Sequence, residues 1–393
     1  MKFLFFDIDG VLVKPGGYRK AVEDTLAIIA RQAGILTAPI AEEIPALFES
    51  FGITSEWDML PICTAILLET YCQVSGNTIE EATLEEAIKN IHKLGTTTLQ
   101  PDYRKFILRL SEVAHIEEIP SLSIINHRRT TDFPVLYRHP ILEDIFCHTR
   151  NVKKSYITRL FQSLVLGDAL FQKTYQFPAA MPVASYLLQY DHPLIDATTQ
   201  TWITQAIRKN SHYIAALTAR PSLGPKGYTD TEITAYSPEA ELALEGIGLA
   251  QMPLIGYGRL QYQASLDNLD ADQLLKPSAY HTLAALFTGI FADEEKGLSR
   301  ARSLMQQIDQ SPNGKVSIQE LTEEVELVVF EDSPGGIQSV LAAEKILKNS
   351  GINVHTIAYG ITNNPDKMKA LMAQGAKIEP TINDALQNYI TKV

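Results

Sequence analysis

The chain has 393 residues, 45% of them hydrophobic and 20% charged, with a net charge of −12. That length exceeds one ordinary hydrophobic core and predicts two domains of a globular protein rather than a disordered chain. The acid surplus, with no strongly basic domain, speaks against general nucleic-acid binding, and no apolar run reaches the roughly 18 residues of a membrane span.

In chain order, Met1–Leu12 opens with a run of Phe and Leu, the pattern of a short buried strand. It is too short for a signal sequence and ends in Asp7-Ile8-Asp9-Gly10. Carboxylates at i and i+2, at the carboxyl end of a parallel strand, stand where open α/β sheets bind ligands. Gly10 allows a sharp turn that brings backbone close to a bound group. Like charges this close favour a cation or a shared proton.

Pro15, Gly16 and Gly17 then form a turn, and from Tyr18 to about Leu187 the spacing of apolar residues is mainly helical. Thr54-Ser-Glu-Trp-Asp58 has the form of a helix start. The stretch Ala41–Glu86 is acidic, whereas His127–Lys154 is locally basic. Such a basic run is either a solvated helix face or a surface that attracts an anionic substrate. Cys63, Cys72 and Cys147 lack a zinc-type spacing and read as reduced thiols of a cytoplasmic protein. Leu194–Arg208 is one more helix.

The period then changes. His212–Leu217 is strand-like and is followed by Thr218, Arg220 and a loop rich in Pro and Gly. Arg220 is close enough in sequence to Thr218 to reach a phosphate, or else to pair with an acidic neighbour. Further strands are expected near Pro253–Tyr257, at Val325–Phe330, at Asn353–Ala358 and near Ala376–Glu379, with helices between them. Lys276-Pro277 precedes an apolar helix, and Val325–Phe330 ends in Glu331-Asp332-Ser333-Pro334-Gly335-Gly336. Asp309–Glu320 has oxygen-bearing residues near the spacing of a calcium loop, but it carries acids only at its ends, has no partner loop and reads as a polar turn. Strands alternating with helices predict an α/β fold with a doubly wound, Rossmann-like parallel sheet.

Four strand ends or loops thus offer Asp7 with Asp9, Thr218, Lys276, and Glu331 with Asp332. Chemically these suit metal-assisted phosphoryl transfer. Asp7 can attack phosphorus and form an acyl-phosphate, and Asp9 can protonate the leaving oxygen and later deprotonate water. Asp7, Glu331 and Asp332 are hard oxygen ligands for Mg2+. Thr218 and Lys276 can hold the phosphoryl oxygens, with the Gly10 backbone and Arg220 as further phosphate contacts.

The order and identity of these residues resemble the haloacid dehalogenase superfamily, chiefly its phosphatases. Asp7-Ile-Asp-Gly-Val11 is similar to the first motif of that family, Thr218 to the second, Lys276 to the third and Glu331-Asp332 to the fourth. The resemblance implies Asp7 as nucleophile, Asp9 as acid/base, and the Asp9 backbone carbonyl as a Mg2+ ligand beside Asp7 and Asp332, with Glu331 ligating directly or through water. It covers residues 1–13 and 211–393 as a catalytic core. Residues 14–210 match only by position, where the family inserts a helical cap of its first type. The third and fourth motifs are most like those of phosphoglycolate phosphatases and β-phosphoglucomutases. The expected activity is a Mg2+-dependent phosphatase of a small phosphorylated metabolite, with a sugar-phosphate mutase or a non-catalytic binding protein as the alternatives.

Overall fold

The computed structural model describes residues 1–393 except 42, 52, 54, 111–118, 210, 229–235, 311–315, 323, 392 and 393. The chain divides into two compact units. One holds Met1–Pro15 and the described chain from Asp191 onward, and the other holds Gly16–Tyr190.

The first unit is a three-layer α/β structure. Among the described residues its sheet has six strands: β1 (Lys2–Phe6), β2 (Tyr213–Leu217), β3 (Leu254–Ile255), β4 (Glu324–Glu331), β5 (Asn353–Ile361) and β6 (Lys377–Glu379). They lie in the order β6-β5-β4-β1-β2-β3, and every neighbouring pair is parallel. Alternation along each strand explains why the opening Phe-Leu-Phe-Phe is apolar throughout. Phe3 and Phe5 join one buried cluster with Leu217, Leu283, Leu327 and Val329. Leu4 and Phe6 join another with Ile214, Ala216, Val328 and Phe330. A strand covered on both faces has no side that faces water, so it needs no polar partner in its pattern. Phe6 stacks on Phe330, and Phe330 on Tyr359, with ring centroids 4.7 and 5.3 Å apart.

Chain order leaves β1 toward β2 and β3 on one side, then returns to β4 on the other. The carboxyl ends of β1 and β4 therefore flank the point where winding reverses, the usual ligand crevice of such sheets. The β1–β4 register pairs Phe6 with Phe330, and the Asp7 amide donates to the Phe330 carbonyl at 3.0 Å. Asp7 and Glu331 thus leave the sheet side by side.

The expected boundary near residue 210 differs from the one observed. The helix Ala197–Lys209 lies in the sheet-bearing unit, because Ile203 and Ala206 pack in the cluster of Leu4 and Phe6. Val13–Lys14 pairs antiparallel with His192–Pro193, and the Leu194 amide donates to the Leu12 carbonyl at 2.9 Å. The two chain crossings that bracket Gly16–Tyr190 are thereby stitched together within the sheet-bearing unit.

The second unit is mainly helical. Among the described residues its longest helix, Glu56–Ser75, is capped by Ser55, whose hydroxyl accepts from the Trp57 amide at 3.3 Å, and stops at Gly76 with φ 71°. Thr54, at the expected helix start, lies outside the described residues. Buried Asp58 and Glu69 on this helix bind a neighbouring helix, Pro120–His127, and loops of the same unit. Asp58 accepts from Ser121 and Arg150, each at 2.5 Å, and Glu69 accepts from the Val135 and Leu136 amides at 3.0 Å. Among the described residues no helix is long and apolar enough to cross a membrane.

Candidate active site

Two short networks form at the carboxyl ends of β1, β2 and β4. In the first, the Lys276 ammonium bridges Asp7 Oδ1 at 2.9 Å and Glu331 Oε1 at 2.5 Å. The other Glu331 oxygen accepts from the Asp332 and Ser333 amides at 3.0 Å and from the Ser333 hydroxyl at 2.8 Å. Ser333 also caps the helix Pro334–Asn349, its oxygen accepting from the Gly336 amide at 3.4 Å. A Cβ at Gly336 would overlap the Glu331 carboxylate, so this glycine in the first turn of the helix makes room for the acid. On the other side, a Cβ at Gly10 would lie 2.7 Å from Asp332 Cγ. Gly10 also has φ +77°, in the left-handed region. A glycine therefore stands against each of these two acids.

In the second network the buried Arg220 guanidinium grips Asp9. Its Nε donates to both Asp9 oxygens at 2.9 and 2.8 Å, and one terminal nitrogen reaches Asp9 at 2.6 Å and Asp191 at 2.8 Å. The Arg220 amide donates to the Thr218 hydroxyl oxygen at 3.1 Å, which leaves the hydroxyl proton of buried Thr218 available to a third group.

The electrostatics follow from counting charges. Three carboxylates face the Lys276 ammonium and, at Asp332 Oδ2, the Lys367 ammonium at 2.5 Å. Burial first, then Glu331, Asp9 and Asp332, lift the Asp7 carboxyl well above the usual carboxylate range, with Lys276 opposing them. Burial disfavours the Lys276 ammonium, but Asp7 and Glu331 outweigh it and hold the group above the ordinary lysine range. Burial likewise raises Asp332, against the pull of Lys367. Oxygen atoms of Asp7, Glu331 and Asp332 come within 4.8 Å of one another. An all-carboxylate set of this spacing suits a hard divalent cation rather than a thiolate-seeking one.

The sheet thus gathers Asp7, Lys276, Glu331 and Asp332 into one contact network and Asp9, Arg220 and Thr218 into another, with Gly10 against Asp332. Arg220 pairs with acids, one of the two roles expected of it. Sequence reasoning missed Lys367 and Asp191. Lys367 had one signal, a cation in the first turn of a helix. Asp191 had none. In the calcium-like loop, Ser311, Asn313 and Gly314 lie outside the described residues. Of its two acidic ends, Asp309 belongs to the helix Glu294–Gln310 and Glu320 pairs with Arg300 at 2.6 Å. In the basic stretch, Arg128 pairs with Asp132 and Arg129 with Glu143, both at 3.1 Å, and Arg150 with Asp58. Much of that positive charge is compensated within its own unit.

No family model matches the chain, and no curated protein does. Two solved structures are similar over nearly the whole length. The crystal structure of Northeast Structural Genomics Consortium target ZR25 aligns with a TM-score of 0.62 at 15% identity, covering 100% of this chain and 98% of that one. The two share a fold. Phosphatase Tt82 from Thermococcus thioreducens aligns with a TM-score of 0.40 at 13% identity, covering 94% of this chain and 99% of that one.

Proposed function

We propose that this protein is a Mg2+-dependent phosphatase of the haloacid dehalogenase type, acting on a small phosphorylated metabolite through an aspartyl-phosphate. The observation that carries the reading is the bridge from Lys276 to both Asp7 and Glu331, at the point where the sheet reverses its winding. A structural ion pair needs one acid for one lysine. Here a buried lysine holds two acids with a third alongside, an arrangement that is costly unless the charge is used.

Asp7, Asp332 and Glu331, with the Asp9 backbone carbonyl, would hold the cation. When bound, it supplies positive charge that lowers the proton affinity of Asp7 and draws the anionic phosphoryl group to the site. An Asp7 oxygen attacks phosphorus as the bond to the leaving oxygen breaks, and Asp9 gives that oxygen its proton. Water then attacks the phosphorus of the aspartyl-phosphate. Asp9 takes the proton of that water, and the phosphate–Asp7 bond breaks. Lys276 and the Thr218 hydroxyl donate to the phosphoryl oxygens, whereas the Gly10 amide, expected as a further phosphate contact, donates instead to the Val13 carbonyl at 2.8 Å. Arg220 fixes the direction of the Asp9 carboxylate. It keeps Asp191 as a partner while Asp9 carries a proton, so the arginine is not left uncompensated. The helical unit Gly16–Tyr190 serves as the cap that selects the leaving group, and a cytoplasmic location fits such a substrate.

Incubating the full chain with Mg2+ and a panel of phosphorylated metabolites tests this reading by phosphate release. Turnover of at least one ester, abolished in Asp7→Asn, is expected. No hydrolysis of any ester, or an Asp7→Asn variant as fast as wild type, sinks it. An isomerised sugar phosphate in place of free phosphate would assign the same chemistry to a mutase.

A further inference from the structure

The two ammoniums at the carboxylate cluster differ in kind. Lys276 is one-tenth exposed and tied to two acids. Lys367 is half-exposed and reaches Asp332 Oδ2 at 2.5 Å. It extends from the first turn of the helix Pro365–Ala373, where Asn364 caps the amides of Asp366 and Lys367 at 2.9 and 3.2 Å. A cation there opposes the helix dipole, which favours acids at that end. Local preference is thus set aside at this position, as happens where a residue serves a site. With both ammoniums in place, three carboxylates retain a single uncompensated negative charge, a weak attraction for a divalent ion. Only Lys367 has water to move into.

We propose that Lys367 is a displaceable counter-cation that tunes the affinity of the Asp7–Glu331–Asp332 site for its divalent ion. It neutralises Asp332 until the metal takes that carboxylate, and then turns out to solvent. This rests on the metal-dependent reading above. Competition lowers the affinity for the ion by the worth of the Lys367–Asp332 pair. It also keeps a cluster of buried acids from standing unpaired between metal-binding events.

Mn2+ titration of the full chain without substrate, with free Mn2+ followed by electron paramagnetic resonance, tests the proposal. Lys367→Gln should tighten binding by about fivefold, the scale of a partly exposed ion pair, and Lys367→Glu should tighten it further. Lys367→Arg should match wild type. Lys369→Gln is the control for net charge, since Lys369 lies on the same helix and is paired with Asp366 at 3.9 Å. It should change nothing. Unchanged or weaker binding in Lys367→Gln overturns the proposal, as does equal tightening in Lys369→Gln. If wild type binds Mn2+ through Asp332 regardless of residue 367, the proposal alone falls. If neither wild type nor Lys367→Gln binds Mn2+, the metal-dependent reading falls with it.

Discussion

Asp7 shows at the scale of one residue how chemistry and stability pull apart. Its carboxyl is lifted well above the usual range by burial and by Glu331, so the folded state holds this proton more tightly than the unfolded chain does. Stability from this group is therefore lost as pH rises through the unfolded carboxylate range toward the folded value, and at neutral pH the ionised form is a cost. Asp7→Asn should reduce turnover by at least about a thousandfold, while metal-free stability at pH 7, measured by urea unfolding, equals or exceeds wild type. His281 gives the opposite pH dependence. Its Nδ1 accepts from the Lys276 amide at 3.3 Å and its Nε2 lies 2.8 Å from the Ile255 carbonyl, an arrangement satisfied by the neutral ring. Burial pushes its pKa down to about 3 from 6.5. The unfolded chain then binds the extra proton between those values, so stability falls on acidification across that window, by up to about 1.4 kcal/mol per pH unit. The urea midpoint of His281→Gln should depend less steeply on pH over the same range than that of wild type.

At the scale of elements, the turn from β4 into the helix Pro334–Asn349 holds the Glu331 carboxylate and starts a helix with the same residue, Ser333. Ser333 donates to Glu331 and accepts from Gly336. Ser333→Ala removes both, and a loss of about 1–2 kcal/mol is expected in denaturant unfolding. If Glu331 is held by this hydroxyl, the variant should also bind Mn2+ more weakly, an effect that a plain cap substitution elsewhere would not produce. The Asp-Ser-Pro-Gly-Gly spelling made the turn legible, and Gly336 explains itself once Glu331 is seen against it. The helix Ala197–Lys209 was also visible in sequence, but not its allegiance. Its apolar face fits either unit, and only the packing of Ile203 and Ala206 in the cluster that holds Leu4 and Phe6 decides which.

The whole molecule depends on two crossings of the chain. Val13–Lys14 and His192–Pro193 form a ribbon inside the sheet-bearing unit, so the ends left by removing the helical unit are already neighbours. Replacing Gly16–Tyr190 with a short Gly/Ser linker should leave a core that unfolds in one cooperative transition with α/β circular dichroism. A chain without such a transition would show that the sheet needs the helical unit in order to fold.

The sequence by itself determined that β1 and β4 are buried strands, because runs such as Phe-Leu-Phe-Phe and Leu-Val-Val-Phe leave no face for water. It also determined which residue types end them, and hence the chemistry on offer. Tertiary structure decided the partnerships. Which strands adjoin, and in what register, depends on packing across hundreds of residues, and that register sets Asp7 beside Glu331. Lys276 lies 55 residues from Glu331 in the chain and Arg220 lies 211 from Asp9. No local pattern encodes those distances. Asp191 was out of reach for the same reason, and the helix position of Lys367 marked the residue without naming its partner: a charge has meaning only beside the charge it faces, and folding alone brings the two together.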